Sequence, residues 1–133
     1  MTVRPRVILG TLALLALGYG TAAAAPSVAQ VEIDYLLGFV EQSNCEFYRN
    51  GSSYDAAQAG SHLREKYAAL AAAGRILTGD EFIDKVASRS SLSGRPYEVK
   101  CTGHARMSTA PWLREALMRF RTMGAPRELR DAR

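Results

Sequence analysis

The sequence has two cysteines, two histidines and one tryptophan in 133 residues. These scarcities exclude whole classes of chemistry. A four-ligand zinc site would consume Cys45, His62, Cys101 and His104 together, and their spacing matches no usual metal motif. No Gly-x-Ser-x-Gly, His-Glu-x-x-His, phosphate-binding glycine loop or haem-attachment pattern occurs. Only His62 and His104 are available for acid–base work near neutral pH. The expectation leans away from an enzyme, with no cofactor and no metal.

Long apolar runs are also absent. The one extended stretch, Val7 to Leu17, contains Gly10, is followed by Gly18 and Gly20, and falls short of the roughly 20 residues that a bilayer requires. It lies behind Arg4 and Arg6 and ahead of the small residues Thr21 to Ala25, which reads as a secretory signal cleaved between Ala24 and Ala25. No lipobox cysteine lies nearby, so no lipid anchor is expected. The expected plan is a signal peptide over 1–24, one domain over 25–123 and a polar tail over 124–133. The protein is then periplasmic or secreted, without a stable transmembrane anchor once the signal is removed.

Export changes how the two cysteines are read. In an oxidising compartment a pair of cysteines bonds more often than not, so a Cys45–Cys101 disulfide is expected. It closes a loop of about 57 residues, for which chain entropy gives on the order of 4 kcal/mol.

The formal charge is +4, falling to about +2 once Arg4 and Arg6 leave with the signal. Basic residues cluster from Arg95 onward, but they alternate with apolar helix positions and lack a stacking platform. That is the pattern of a solvated helix face, and no nucleic acid partner is expected.

Periodicity supplies the elements. Ser27 and Gln30 form a capping pattern ahead of Ile33, Leu36, Leu37 and Val40, which predicts a helix over 28–41. Strand character at Cys45–Tyr48 followed by Asn50-Gly51 predicts a hairpin over 45–54. Asp55 with Gln58 starts a second helix ended by Gly74, and Thr78 with Glu81 a short third one through Ser88. Tyr97 to Thr102 alternates as a strand, with Tyr97, Val99 and Cys101 on one side. Gly103 to Ser108 reads as a loop. Pro111 sits in the first turn of a last helix that buries Leu113, Ala116, Leu117 and Phe120. The fold class expected is α+β: about four helices on a small antiparallel sheet made of the hairpin and one later strand, braced by the disulfide.

The loop from Ser88 to Tyr97 gathers hydroxyls, guanidinium groups and Gly94. Such groups suit a carboxylate, a sulfate or a sugar, although turn chemistry alone also favours Ser and Gly. With the hairpin turn beside it, one polar ligand-binding surface is expected from Arg49, His62, Arg64, Ser90, Ser91, Ser93, Arg95 and Tyr97. The predicted role is a non-catalytic binding module for an anionic or glycan envelope ligand, or for a protein partner. An alternative makes His62 the base and a loop serine the nucleophile of a small hydrolase.

The segments Cys45-Glu46-Phe47-Tyr48-Arg49-Asn50-Gly51, His62-Leu63-Arg64-Glu65-Lys66-Tyr67, Phe82 to Tyr97 and Trp112-Leu113 resemble a family of small exported bacterial proteins known only as a domain of unknown function. The resemblance runs from about Val31 to Arg121. It implies a shared fold and an exported location and brings no activity with it. Locally, Ser93-Gly94-Arg95-Pro96-Tyr97 looks like the Ser-Gly-x-x-Tyr loop of periplasmic inhibitors of chicken-type lysozyme, which are β-barrels. This gives a second alternative, an inhibitor acting through that loop.

Overall fold

A computed structural model describes Gly20 and residues 24–75 and 77–124. Most of the expected signal, and the tail from residue 125, lie outside the described residues. The first helix, α1, spans Val28–Glu41, as its period predicts. Ser27 accepts from the Gln30 N–H, but the Gln30 side chain donates to Asp34 instead of returning to the cap. Ile33, Leu36, Leu37 and Val40 are fully buried. At roughly 1.5–3 kcal/mol each, their burial outweighs the cost of up to about 1 kcal/mol that Gly38 brings to the helix interior.

The hairpin follows, with β1 over Glu46–Arg49 and β2 over Ser52–Tyr54. Asn50 and Gly51 both take positive φ, 51° and 84°, which is the type I′ turn that matches strand twist. A capping box between Asp55 and Gln58 opens α2, Ala56–Ala72. At its end the Gly74 N–H donates to Ala71 O and the Arg75 N–H to Leu70 O, so the last carbonyls are satisfied. Thr78 and Glu81 form a second capping box, ahead of α3, Gly79–Phe82. The chain then widens into a π-helical turn, Ile83–Ala87, instead of continuing as α-helix to Ser88.

Strand β3 is Glu98–Lys100. Where the sequence reads as a loop up to Ser108, Met107–Ser108 forms a short fourth strand, β4, and α4 begins directly at Thr109, running to Arg119 before a second π-helical turn, Phe120–Gly124. The sheet is antiparallel in the order β2-β1-β3-β4. Among the described residues the fold is therefore α+β, with four helices against a four-stranded sheet.

Register decides what reaches the core. Phe47 faces Val99 and Glu46 faces Lys100, so one further step places Cys45 opposite Cys101. These two are joined as a disulfide with their Cα atoms 4.4 Å apart, the separation of a closely spaced antiparallel pair. Cys45, Phe47 and Val99 face the helices and are buried. Tyr48 and Glu98 face away, and Arg106 stacks over the Tyr48 ring at 3.5 Å while bonding Glu98. On the helical side, Arg121 grips the buried Glu32 carboxylate with two 2.8 Å contacts and also reaches Asp80, tying α1, α3 and the end of α4.

Candidate functional site

Together with the residue before it, the inner face of β1 reads Cys45, Phe47, Arg49. Alternation makes the third of these point the same way as the first two, so a guanidinium ends an otherwise apolar stripe. Continuing the β1–β3 register puts Tyr97 opposite Arg49, and Tyr54 pairs with Phe47 on the other side. Above them α2 presents His62 and, one turn later, Lys66, which share a face at a spacing of four.

These side chains meet. Arg49 Nη1 lies 2.8 Å from both ring nitrogens of His62, and Arg49 Nη2 donates to Tyr54 Oη at 3.2 Å, with the guanidinium 4.9 Å from the Tyr54 ring centre. His62 Nε2 is 3.1 Å from Tyr97 Oη, and Lys66 Nζ donates to that oxygen at 3.4 Å and to Arg89 O at 2.9 Å. Lys66 also sits 5.1 Å from the Tyr97 ring centre. Neither Arg49 nor Lys66 has a carboxylate partner among the described residues. Their contacts are to aromatic faces, hydroxyls, a neutral imidazole and a carbonyl, which hold the cations without neutralising them.

The titration behaviour follows from this. Burial, then the charges of Arg49 and Lys66, hold His62 below the ordinary histidine value, with Glu65 opposing weakly. Burial and then Arg49 likewise lower Lys66. Burial raises Tyr97 against the pull of Arg49. An imidazole kept neutral can accept from Arg49, whereas an imidazolium could not.

Beneath the cluster is a cleft of about 330 Å³ between α2 and the inner face of the hairpin. Arg49, Tyr54, His62 and Tyr97 line it together with Phe47, Ala59 and Leu63, and the fully buried Val40 and Leu113 close its floor. Glu65 is the acidic residue of the lining.

Of the residues predicted from sequence, Arg49, His62 and Tyr97 come together here. Ser90 and Ser93 lie beside them through Asn50, whose Nδ2 donates to Ser90 Oγ at 3.2 Å and whose Oδ1 accepts from Ser93 Oγ at 2.5 Å. Both serines are committed to the turn: Ser90 Oγ accepts from the Leu92 and Ser93 N–H groups, and Ser93 Oγ accepts from the Arg95 N–H. Ser91 and the Arg95 side chain are exposed and join no side-chain hydrogen bond among the described residues. Arg64 points elsewhere, in a two-pronged bond with Glu41 that holds that carboxyl below its usual range. No serine hydroxyl is bonded to His62 among the described residues, as a nucleophile–base pair would require. Sequence reasoning missed Lys66, Tyr54 and Asn50 as site residues; the spacing of His62 and Lys66 was the available signal.

Fold and site together define a small disulfide-braced α+β domain with an apolar cleft under a cationic and phenolic rim. The chain belongs to DUF5329, a family of unknown function, which it matches over residues 27–121. It is similar to the uncharacterized protein YfeK of Salmonella typhimurium, with 42% identity over 62 residues, 47% of this chain and 50% of the relative. The match thus spans half the length of that curated relative. No solved structure matches.

Proposed function

We propose that the protein is an exported, non-catalytic binding module that captures an anionic ligand at the Arg49–His62–Lys66–Tyr97 cluster. The carrying observation is the pair of partly buried cations that lack a carboxylate partner among the described residues, Arg49 lining a cleft and Lys66 bonded to the hydroxyl of Tyr97 in the same lining. Burial, and then the charge of Arg49, hold Lys66 below its ordinary value. An arriving anion compensates these charges, and Arg49 offers it a planar fork of donors. The disulfide supports an oxidising location, as does the signal-like sequence at the N-terminus. No helix among the described residues is long and apolar enough to cross a membrane. Small carboxylates titrated into the protein should perturb the Arg49 and His62 side-chain signals saturably, with weakening at high salt. Arg49→Ala should abolish the response, and an identical response in that variant would contradict the proposal.

A second reading has its own observation. Leu92 is 98% exposed at the tip of a turn closed by Ser90 N–H to Arg95 O and Gly94 N–H to Ser90 O. A rigid loop offering one apolar side chain suits insertion into a protein partner, in the manner of the lysozyme inhibitors whose loop it resembles. Lysozyme turnover in the presence of the protein tests this: inhibition lost in Leu92→Ser supports it, and unchanged turnover removes it.

A further inference from the structure

We infer that the ligand of this cleft is a small amphipathic anion, one charged head on a short apolar body. The inference rests on the binding-module reading above and narrows it. Three features of the site carry it.

The first is the division of the lining. The rim carries Arg49, Tyr54, His62 and Tyr97 together with the polar side chains of Tyr48, Gln58, Ser61, Thr109 and one carboxylate, Glu65, while Val40, Phe47, Ala59, Leu63, Ala87 and Leu113 supply the apolar part of the lining. A simple inorganic ion would use the first set and leave the second with nothing to contact. An uncharged apolar molecule would fill the second set and leave the partly buried Arg49 charge of the rim without a counter-ion. Only a ligand with both characters satisfies both sets.

The second is size. About 330 Å³ is near the lower end of the roughly 300–1,000 Å³ of ligand pockets. A glycan strand or a multi-chain lipid cannot be enclosed there, whereas a short acyl or aryl group can. Of the anionic or glycan envelope ligands expected from sequence, a glycan strand is thus disfavoured as the occupant of the cleft.

The third is polarity of direction. Along β1 the inner face passes from Phe47 to Arg49, and along α2 the lining passes from Gln58 and Ala59 through Ser61, His62 and Leu63 to Glu65, with Lys66 beside it reaching the Tyr97 hydroxyl. The β1 wall thus runs from apolar to cationic towards the turn at Asn50, and Lys66 reaches the Arg89 carbonyl beside that turn. A ligand would therefore lie with its head at the Arg49–Lys66 end and its apolar body beneath Ala59 and against Phe47.

The test compares three probes on the disulfide-bonded protein by calorimetry: octanoate, which has head and body; acetate, which has the head alone; and octan-1-ol, which has the body alone. Octanoate should bind at least about tenfold more tightly than either of the others. Lys66→Met and Arg49→Ala should weaken octanoate while leaving octan-1-ol unchanged. Ala59→Phe, which fills the apolar end without touching the cations, should weaken octanoate and spare acetate. Acetate binding as tightly as octanoate would overturn this inference and leave the anion-binding reading standing. Octan-1-ol binding as tightly as octanoate would overturn both, as would the absence of any binding. Circular dichroism of each variant separates loss of binding from loss of fold.

Discussion

Arg49 occupies a position that strand alternation assigns to the core, and the cost of placing a guanidinium there is visible in its neighbours. His62 is held below the ordinary histidine value by burial first and by Arg49 and Lys66 next. Removing Arg49 removes one of those causes, so in Arg49→Leu the His62 titration followed by NMR should move up towards its ordinary value; an unchanged or lower midpoint would contradict the assigned contact. The same shift has a consequence for stability. The unfolded chain takes up its His62 proton near pH 6.5 while the folded protein resists it. The stabilising contribution is therefore complete above about pH 6.5 and is lost as the pH falls towards the lower folded value. Between about pH 7.5 and pH 5 the melting temperature of the wild type should fall more than that of His62→Asn, and parallel curves would count against the assignment. Arg49, His62 and Tyr97 were legible because each stands beside a strong local signal or carries a titratable ring. Lys66 and Tyr54 were not, because their roles depend on how α2 crosses the sheet, which no local spacing encodes. Ser91 and Arg95 were misleading for the opposite reason: the loop spends its polar groups on its own turn or leaves them in solvent.

The elements follow local chemistry closely where that chemistry is short-range. Three N-terminal caps, Ser27, Asp55 and Thr78, accept from the residue three places on, and Asn50-Gly51 forms the predicted turn. The departures are at places where period alone is silent. The π-helical turns at Ile83–Ala87 and Phe120–Gly124 bury the same apolar residues that an α-helix would, so the pattern does not distinguish them. Strand β4 is only two residues long and exists because β3 offers it a free edge. The hairpin turn is the element on which the site depends most directly, since it follows Arg49 and carries Asn50. Gly51→Ala forces a side chain into the left-handed region and should cost about 1–2 kcal/mol by chemical denaturation. A loss below about 0.3 kcal/mol would mean that the turn does not hold this conformation in solution.

The whole molecule is joined at two places far apart in sequence. On the helical side Arg121 closes on Glu32 and Asp80. On the sheet side the Cys45–Cys101 bridge, with a separation of 56 residues, locks β1 beside β3 and so fixes Arg49 opposite Tyr97. Sequence reasoning reached this bridge through the cysteine count and an expected export signal, not through geometry. Replacing both cysteines by Ala should lower the unfolding free energy by up to about 4 kcal/mol, the chain-entropy value for such a loop. Protein recovered from an oxidising compartment should have an intact mass two hydrogens below its reduced form; free thiols on both cysteines would remove the brace.

The central claim is that two cations with no carboxylate partner among the described residues guard an apolar cleft built for an anion with a short hydrophobic body. Its most direct measurement is the NMR signal of the Arg49 guanidinium as octanoate is added to the disulfide-bonded protein. A saturating one-to-one shift, accompanied by the methyl signals of Ala59 and Leu63, is the predicted result. A guanidinium signal that stays in place through the titration would contradict it.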